Sequence, residues 1–128
     1  MGTNYYWRDR PCGSCGRYTE IHVCKSMRTW RAYPHKLMNA EYPDWGYHPE
    51  SPVGFPVLSL ADWRRVFQRP GELWNEYGER IADPLAWLAE APPWQPGPEG
   101  RRYLTEDERR GVGWLDAEGF RFYAGEFS

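Results

Sequence analysis

The densest chemistry in the chain lies between residues 12 and 35. Cys12-Gly13-Ser14-Cys15-Gly16 sets two thiols three positions apart on a glycine-flanked turn. At that spacing two thiolates chelate one metal while the backbone between them turns tightly. Gly16 suits the turn because glycine tolerates positive φ. His22, Cys24 and His35 follow, so the donors of a tetrahedral structural zinc site are at hand. Two sets of four satisfy it: Cys12, Cys15, His22 and His35, or the first three with Cys24. Donors two apart on a strand sit about 7 Å apart along the chain and meet one ion only in a favourable orientation. His35 is therefore preferred, with Cys24 as alternate ligand or as a buried thiol beside the site. A redox Cys-x-x-Cys normally opens a helix; here Pro11, Gly13 and Gly16 surround it and β-like sequence follows. A catalytic zinc keeps one position open to water and usually has fewer cysteines, so a closed Zn2+ site is expected. His48, in a Pro-rich stretch, reads as a surface histidine.

The second chemical pattern is charge interleaved with rings. Residues 1–40 carry seven Lys or Arg against two acids, and the remainder nine against sixteen. Arg8, Arg17, Lys25, Arg28 and Arg31, with Tyr5, Trp7 and Trp30 among them, would pair phosphate contacts with base stacking. Against this, the whole chain has a net charge of -2, whereas nucleic-acid domains are usually basic. A small nucleotide held between rings and an arginine is a third option, in a pocket walled by residues 42–55 and 92–103 with Arg101, Arg102 and Tyr103 as contacts. A hydrolase is the fourth. Asp116, Glu118 and Glu126 supply carboxylates, but Asp116-Ala117-Glu118-Gly119 reads more simply as a hairpin turn. No G-x-S-x-G, P-loop, H-E-x-x-H or deaminase pattern occurs, so catalysis is not expected.

The elements that must position these residues read as follows. Thr3 to Arg8 is a first strand, rich in β-formers. Ile21 to Ser26 alternates, with Ile21 and Val23 on one face and His22 and Cys24 on the other. A turn at Met27-Arg28 leads to a strand over Thr29–Tyr33, which brings His35 near residues 20–21 and close to His22. Residues 39–58, with four prolines, form an extended aromatic loop that packs down. Ser59-Leu60-Ala61-Asp62 opens a helix with Leu60, Trp63 and Phe67 on its apolar face, and Pro70-Gly71 stops it. Glu72 to Ile81 is a small hairpin turning at Tyr77-Gly78. Asp83-Pro84 caps a helix through Leu85, Trp87 and Leu88. Residues 92–102 read as a Pro-rich linker or mobile loop. Thr105 to Glu108 allows a helical turn or two before Gly111. Trp114-Leu115 and Phe120 to Tyr123 close the chain as a β-hairpin.

With 128 residues, 41% hydrophobic and 27% charged, the chain is expected to be one compact α+β domain. Its parts are a zinc-binding β module over 1–38, the Pro/aromatic loop over 39–58, a helix-hairpin-helix over 59–91, the Pro-rich loop over 92–102 and the C-terminal hairpin over 103–128. Two short helices are expected. Three cysteines form no paired disulfide framework and suit a reducing compartment. No signal peptide or membrane-spanning run is evident, and the oligomeric state is not legible.

The opening Met1-Gly2-Thr3-Asn4-Tyr5-Tyr6, Cys12-x-x-Cys15-Gly16, His22-x-x-Lys25-Ser26 with Trp30, Ser59 to Trp63, Asn75 to Gly78 and the closing Gly125-Glu126-Phe127-Ser128 resemble a group of small tailed-bacteriophage proteins. These short blocks touch most of the chain. The resemblance implies a histidine at the position of His35 as a recurrent feature and a small residue at that of Cys24. It implies phage origin and host-cytoplasm residence, and no established activity. The first expectation for function is thus a zinc-stabilised, non-enzymatic accessory protein that binds a host or phage macromolecule, in host takeover or against host defence. Nucleic-acid binding and small-nucleotide binding are the alternatives.

Overall fold

The computed structural model describes residues 2–9, 20–33, 55–95 and 97–124. Strands β1 (Asn4–Asp9), β2 (Glu20–Lys25) and β3 (Thr29–Arg31) come first. Helix α1 (Leu60–Phe67) leads into the hairpin β4 (Gly71–Asn75) and β5 (Arg80–Ile81). Helices α2 (Pro84–Ala89) and α3 (Pro98–Arg110) precede the hairpin β6 (Gly113–Leu115) and β7 (Arg121–Tyr123). The strands make one seven-stranded sheet in the order β5-β4-β1-β2-β3-β7-β6. It is mixed, because β3 and β7 run parallel while the other pairs are antiparallel. The domain is therefore α+β, with three helices among the described residues where two were expected.

The sheet's two faces follow from period-two alternation. In β1, Trp7 is 1% exposed and stacks on Phe67 of α1 with ring centroids 4.9 Å apart. Tyr6 and Arg8 take the opposite face, where Tyr6 lies across from His22 of β2 and Trp74 of β4. α1 closes the first face with Leu60, Trp63, Val66 and Phe67, all buried. Each such apolar side chain contributes roughly 1.5–3 kcal/mol relative to exposure. A helix this short is thus held by packing far more than by intrinsic propensity.

Strand β2 departs from the expected alternation. Tyr5 pairs with Cys24 and Tyr6 with His22, so Val23 is an extra residue, a β-bulge. Val23 and Cys24 are both fully buried, whereas His22 is half-buried beside Tyr6. His22 and Cys24 accordingly do not share a face, which corrects the sequence reading. The bulge lets two consecutive apolar side chains enter the core.

The β2–β3 turn closes one residue earlier than expected. Arg28 N–H donates to the Lys25 carbonyl at 3.1 Å, with Ser26 (φ 56°) and Met27 (φ 57°) as central residues. This left-handed pair turns the chain tightly within a three-residue loop, Ser26 to Arg28, between the paired Lys25 and Thr29, made here without glycine at a cost of roughly 1–2 kcal/mol per residue. The stretch before β1 supports it: Ser26 N–H donates to the Thr3 carbonyl at 2.7 Å, and Ser26 Oγ accepts from Thr3 N–H at 2.9 Å. Gly2 permits that approach, because a Cβ there would collide with Ser26 Oγ.

The caps appear where the sequence places them. Ser59 accepts from Asp62 N–H, and Asp62 reaches back to Leu58 N–H at 2.9 Å. Asp83 caps α2 with Pro84 just inside. Asp116 organises the last hairpin, its Oδ1 accepting from Glu118 and Phe120 N–H at 3.0 and 2.9 Å. Its Oδ2 accepts from Leu60 N–H at 2.8 Å, at the start of α1. Glu118 forms a two-pronged pair with Arg64, both contacts at 2.9 Å. These carboxylates thus have structural partners.

The Pro-rich span over 92–102 is not all loop. α3 begins at Pro98, inside it, and runs 13 residues to Arg110. Proline at the first helical position removes a donor that has no partner there anyway, and Glu99 favours the positive helix end. Thr105 lies within the helix, its Oγ1 donating to the Arg101 carbonyl at 2.9 Å. Of the 39–58 loop, Phe55 to Leu58 are described: Val57 bridges to Tyr33, and the Arg65 guanidinium lies 4.0 Å from the Phe55 ring centroid.

Candidate functional site

Of the expected zinc ligands, Cys12, Cys15 and His35 lie outside the described residues, as does Arg17. His22 stands on the sheet face turned from α1, beside Tyr6. Its Nε2 lies 2.9 Å from the Asn4 side-chain amide, and the ring bonds to the backbone of Cys24. Burial first, then the nearby Arg31 charge, lower its pKa to about 4. The imidazole is neutral at pH 7, the form that binds metal. Coordination through Nε2 would require Asn4 to give up its contact. Cys24 is fully buried among core side chains, and burial pushes its thiol far above the ordinary value. The bulge removes the shared face on which its role as alternate ligand rested. Among the described residues, no group of three His, Cys, Asp or Glu gathers as for a metal.

The expected nucleic-acid residues separate into three settings. Trp30 is 0% exposed, stacked on Phe122 and edge-on to Phe120 and Trp87. It belongs to the core and is not available to a base, which corrects that assignment. Arg8 pairs with Glu20 at 3.0 Å, and its guanidinium lies 4.7 Å from the Trp74 ring centroid. Arg31 lies over Tyr33 at 5.4 Å. These two cations join Tyr6, His22 and Trp74 on the face turned from α1.

Lys25 and Arg28 bracket the hairpin tip, and here the surface is concave. Two clefts of about 400 Å³ each adjoin the tip. One is lined by Gly2, Lys25, Ser26, Arg28 and Thr29, the other by Arg28, Pro92, Pro93, Trp94 and Gln95. Arg28 belongs to both. It is exposed and makes no ion pair among the described residues. Each volume is in the range of small-ligand sites.

The second cleft has a fixed wall. Trp94 N–H donates to the Gly119 carbonyl at 3.0 Å, which seats the 92–95 segment on the β6–β7 turn. The Arg121 guanidinium lies 5.3 Å from the Trp94 ring centroid. Arg121 in turn donates to Asp107 Oδ2 at 3.2 Å and to Thr29 Oγ1 at 3.3 Å. Thr29 neighbours Arg28, so one guanidinium ties both walls together. The sequence places a pocket wall in 92–103, but Arg101, Arg102 and Tyr103 line neither cleft, because they are carried by α3. Trp94 was the missed residue, and the Pro-Pro-Trp run that stiffens it was the available signal.

No protein family, curated protein or solved structure matches this chain. The chemistry of these surfaces is therefore the ground for a functional reading.

Proposed function

We propose that this protein acts by binding, without catalysis, and that its macromolecular partner is a single-stranded nucleic acid held at the tip of the β2–β3 hairpin. One observation carries the reading: Arg28, exposed and without an ion pair among the described residues, stands between two clefts, one walled by an indole. Single-stranded nucleic acid is recognised by such a combination of cation and ring. Lys25 and Arg28 at the tip, with Arg31 on the same hairpin, give the positive track despite the acidic whole. A structural zinc held by Cys12, Cys15, His22 and His35 is part of the proposal, as a folding staple outside the binding chemistry. Phage origin, which the sequence resemblance alone supports, would set this binding in the host cytoplasm.

The test is fluorescence anisotropy with a labelled single strand of about a dozen nucleotides, as RNA and as DNA, at about 50 and 200 mM salt. Three phosphate contacts would lower affinity roughly twentyfold between those salts. Arg28→Gln is expected to weaken binding and flatten the salt dependence. Absence of binding to both strands at the lower salt would sink the nucleic-acid reading and return the search to a protein partner.

A further inference from the structure

We infer that the cleft between Arg28 and Trp94 is a subsite for one nucleotide unit, its base stacked on the Trp94 indole and its phosphate against the Arg28 guanidinium. The inference deepens the nucleic-acid reading and rests on it for the strand, though not for the subsite.

Four features point this way. First, the indole is presented by a rigid segment. Pro92 and Pro93 fix φ ahead of it, and the Trp94 N–H is tied to the Gly119 carbonyl at 3.0 Å. A ring held in place loses little freedom when a base stacks on it. Second, the Arg121 guanidinium already lies 5.3 Å from the ring centroid. That cation is itself anchored by Asp107 and Thr29. The indole is thus backed by a fixed cation, and the half-buried ring lines the cleft.

Third, the charge is complementary to a phosphate. Arg28 is the cation among the described lining residues, and none of those residues is an acid. Asp107, the carboxylate that approaches from α3, is taken by Arg121. Fourth, Gln95 supplies an amide at the rim. An amide offers both donor and acceptor to a base edge. A cleft of about 400 Å³ has room for a single base with its sugar, within the usual range for small-ligand sites.

The chemistry belongs equally to a nucleotide within a strand and to a free nucleotide, so the experiment has an arm for each. The intact protein, labelled with 15N, is titrated with adenosine monophosphate, with ribose 5-phosphate and with the oligonucleotide. The Trp94 indole resonance is assigned by its loss in Trp94→Leu. The expected result is movement of that resonance with the nucleotide and the oligonucleotide, but not with ribose 5-phosphate. Trp94→Leu should weaken oligonucleotide binding about tenfold, the usual scale for one stacked base. Arg28→Gln, at an exposed site, guards against a folding artefact: it should weaken both ligands, while Arg80→Gln, on the β4–β5 hairpin at the far end of the sheet, leaves them unchanged.

If the oligonucleotide binds while the Trp94 resonance stays still and Trp94→Leu binds normally, the subsite is wrong and the nucleic-acid reading stands. If the free nucleotide moves Trp94 but the oligonucleotide does not bind, the subsite stands with a free nucleotide as its ligand, and the strand reading fails. Binding of neither overturns both.

Discussion

His22 and Cys24 are two positions apart, and the inserted Val23 sends them to opposite sides of the sheet. His22 keeps a polar neighbour in Asn4, while Cys24 loses contact with water altogether. A thiol whose pKa is pushed up by burial stays protonated and is a poor nucleophile. Cys24 should therefore resist alkylation by iodoacetamide in the native protein and react only on unfolding. Peptide mass mapping after timed labelling reads this directly, and rapid native labelling of Cys24 would contradict its place in the core. The bulge was not legible, because no glycine marks it and strict alternation fits Ile21 to Cys24 equally well. Trp30 was legible. It is flanked by polar Thr29 and Arg31, so the strand pattern alone turns it inward. The cations around it drew the stacking assignment instead. Trp94 lay in a segment whose prolines read as linker, and its role depends on Arg121, which alignment of the last hairpin alone brings close.

Element ends were the most legible part of the fold. Ser59 with Asp62, and Asp83 with Pro84, mark helix starts by a mechanism that acts within four residues, so no knowledge of the rest of the chain is needed. The Tyr77-Gly78 and Asp116–Gly119 turns are local in the same sense. α3 shows the limit of local reading, since Pro98 serves equally as loop residue and as first helical residue. Its far end is clearer: Gly111 takes φ 77°, and its N–H closes the last turn on Glu108 at 3.0 Å. Gly111→Ala should cost about 1 kcal/mol, because a Cβ is disfavoured in that conformation. Urea denaturation of the two proteins measures it. An unchanged midpoint would mean that the end of α3 does not contribute to global stability.

Across the whole molecule, the pairing of β3 with β7 was out of reach of sequence reasoning, because it joins residues about ninety positions apart with no shared local signal. The same distance problem hid the candidate site, whose walls come from residue 28 and residues 92–95. The zinc proposal also belongs to this scale, since a metal staple stabilises the folded state as a unit. Native mass spectrometry is expected to show one zinc per chain, lost on chelation together with a lowered melting temperature. Cys12→Ser should reproduce that lowering, and a mutant that melts like the parent would remove zinc from the account. The parallel β3–β7 contact has a further consequence for synthesis. Until residues 121–123 leave the ribosome, β3 presents a bare backbone edge that only the last hairpin of the described chain can cover. A nascent chain stalled short of that hairpin would carry an adhesive strand, open to pairing with its neighbours on the same message.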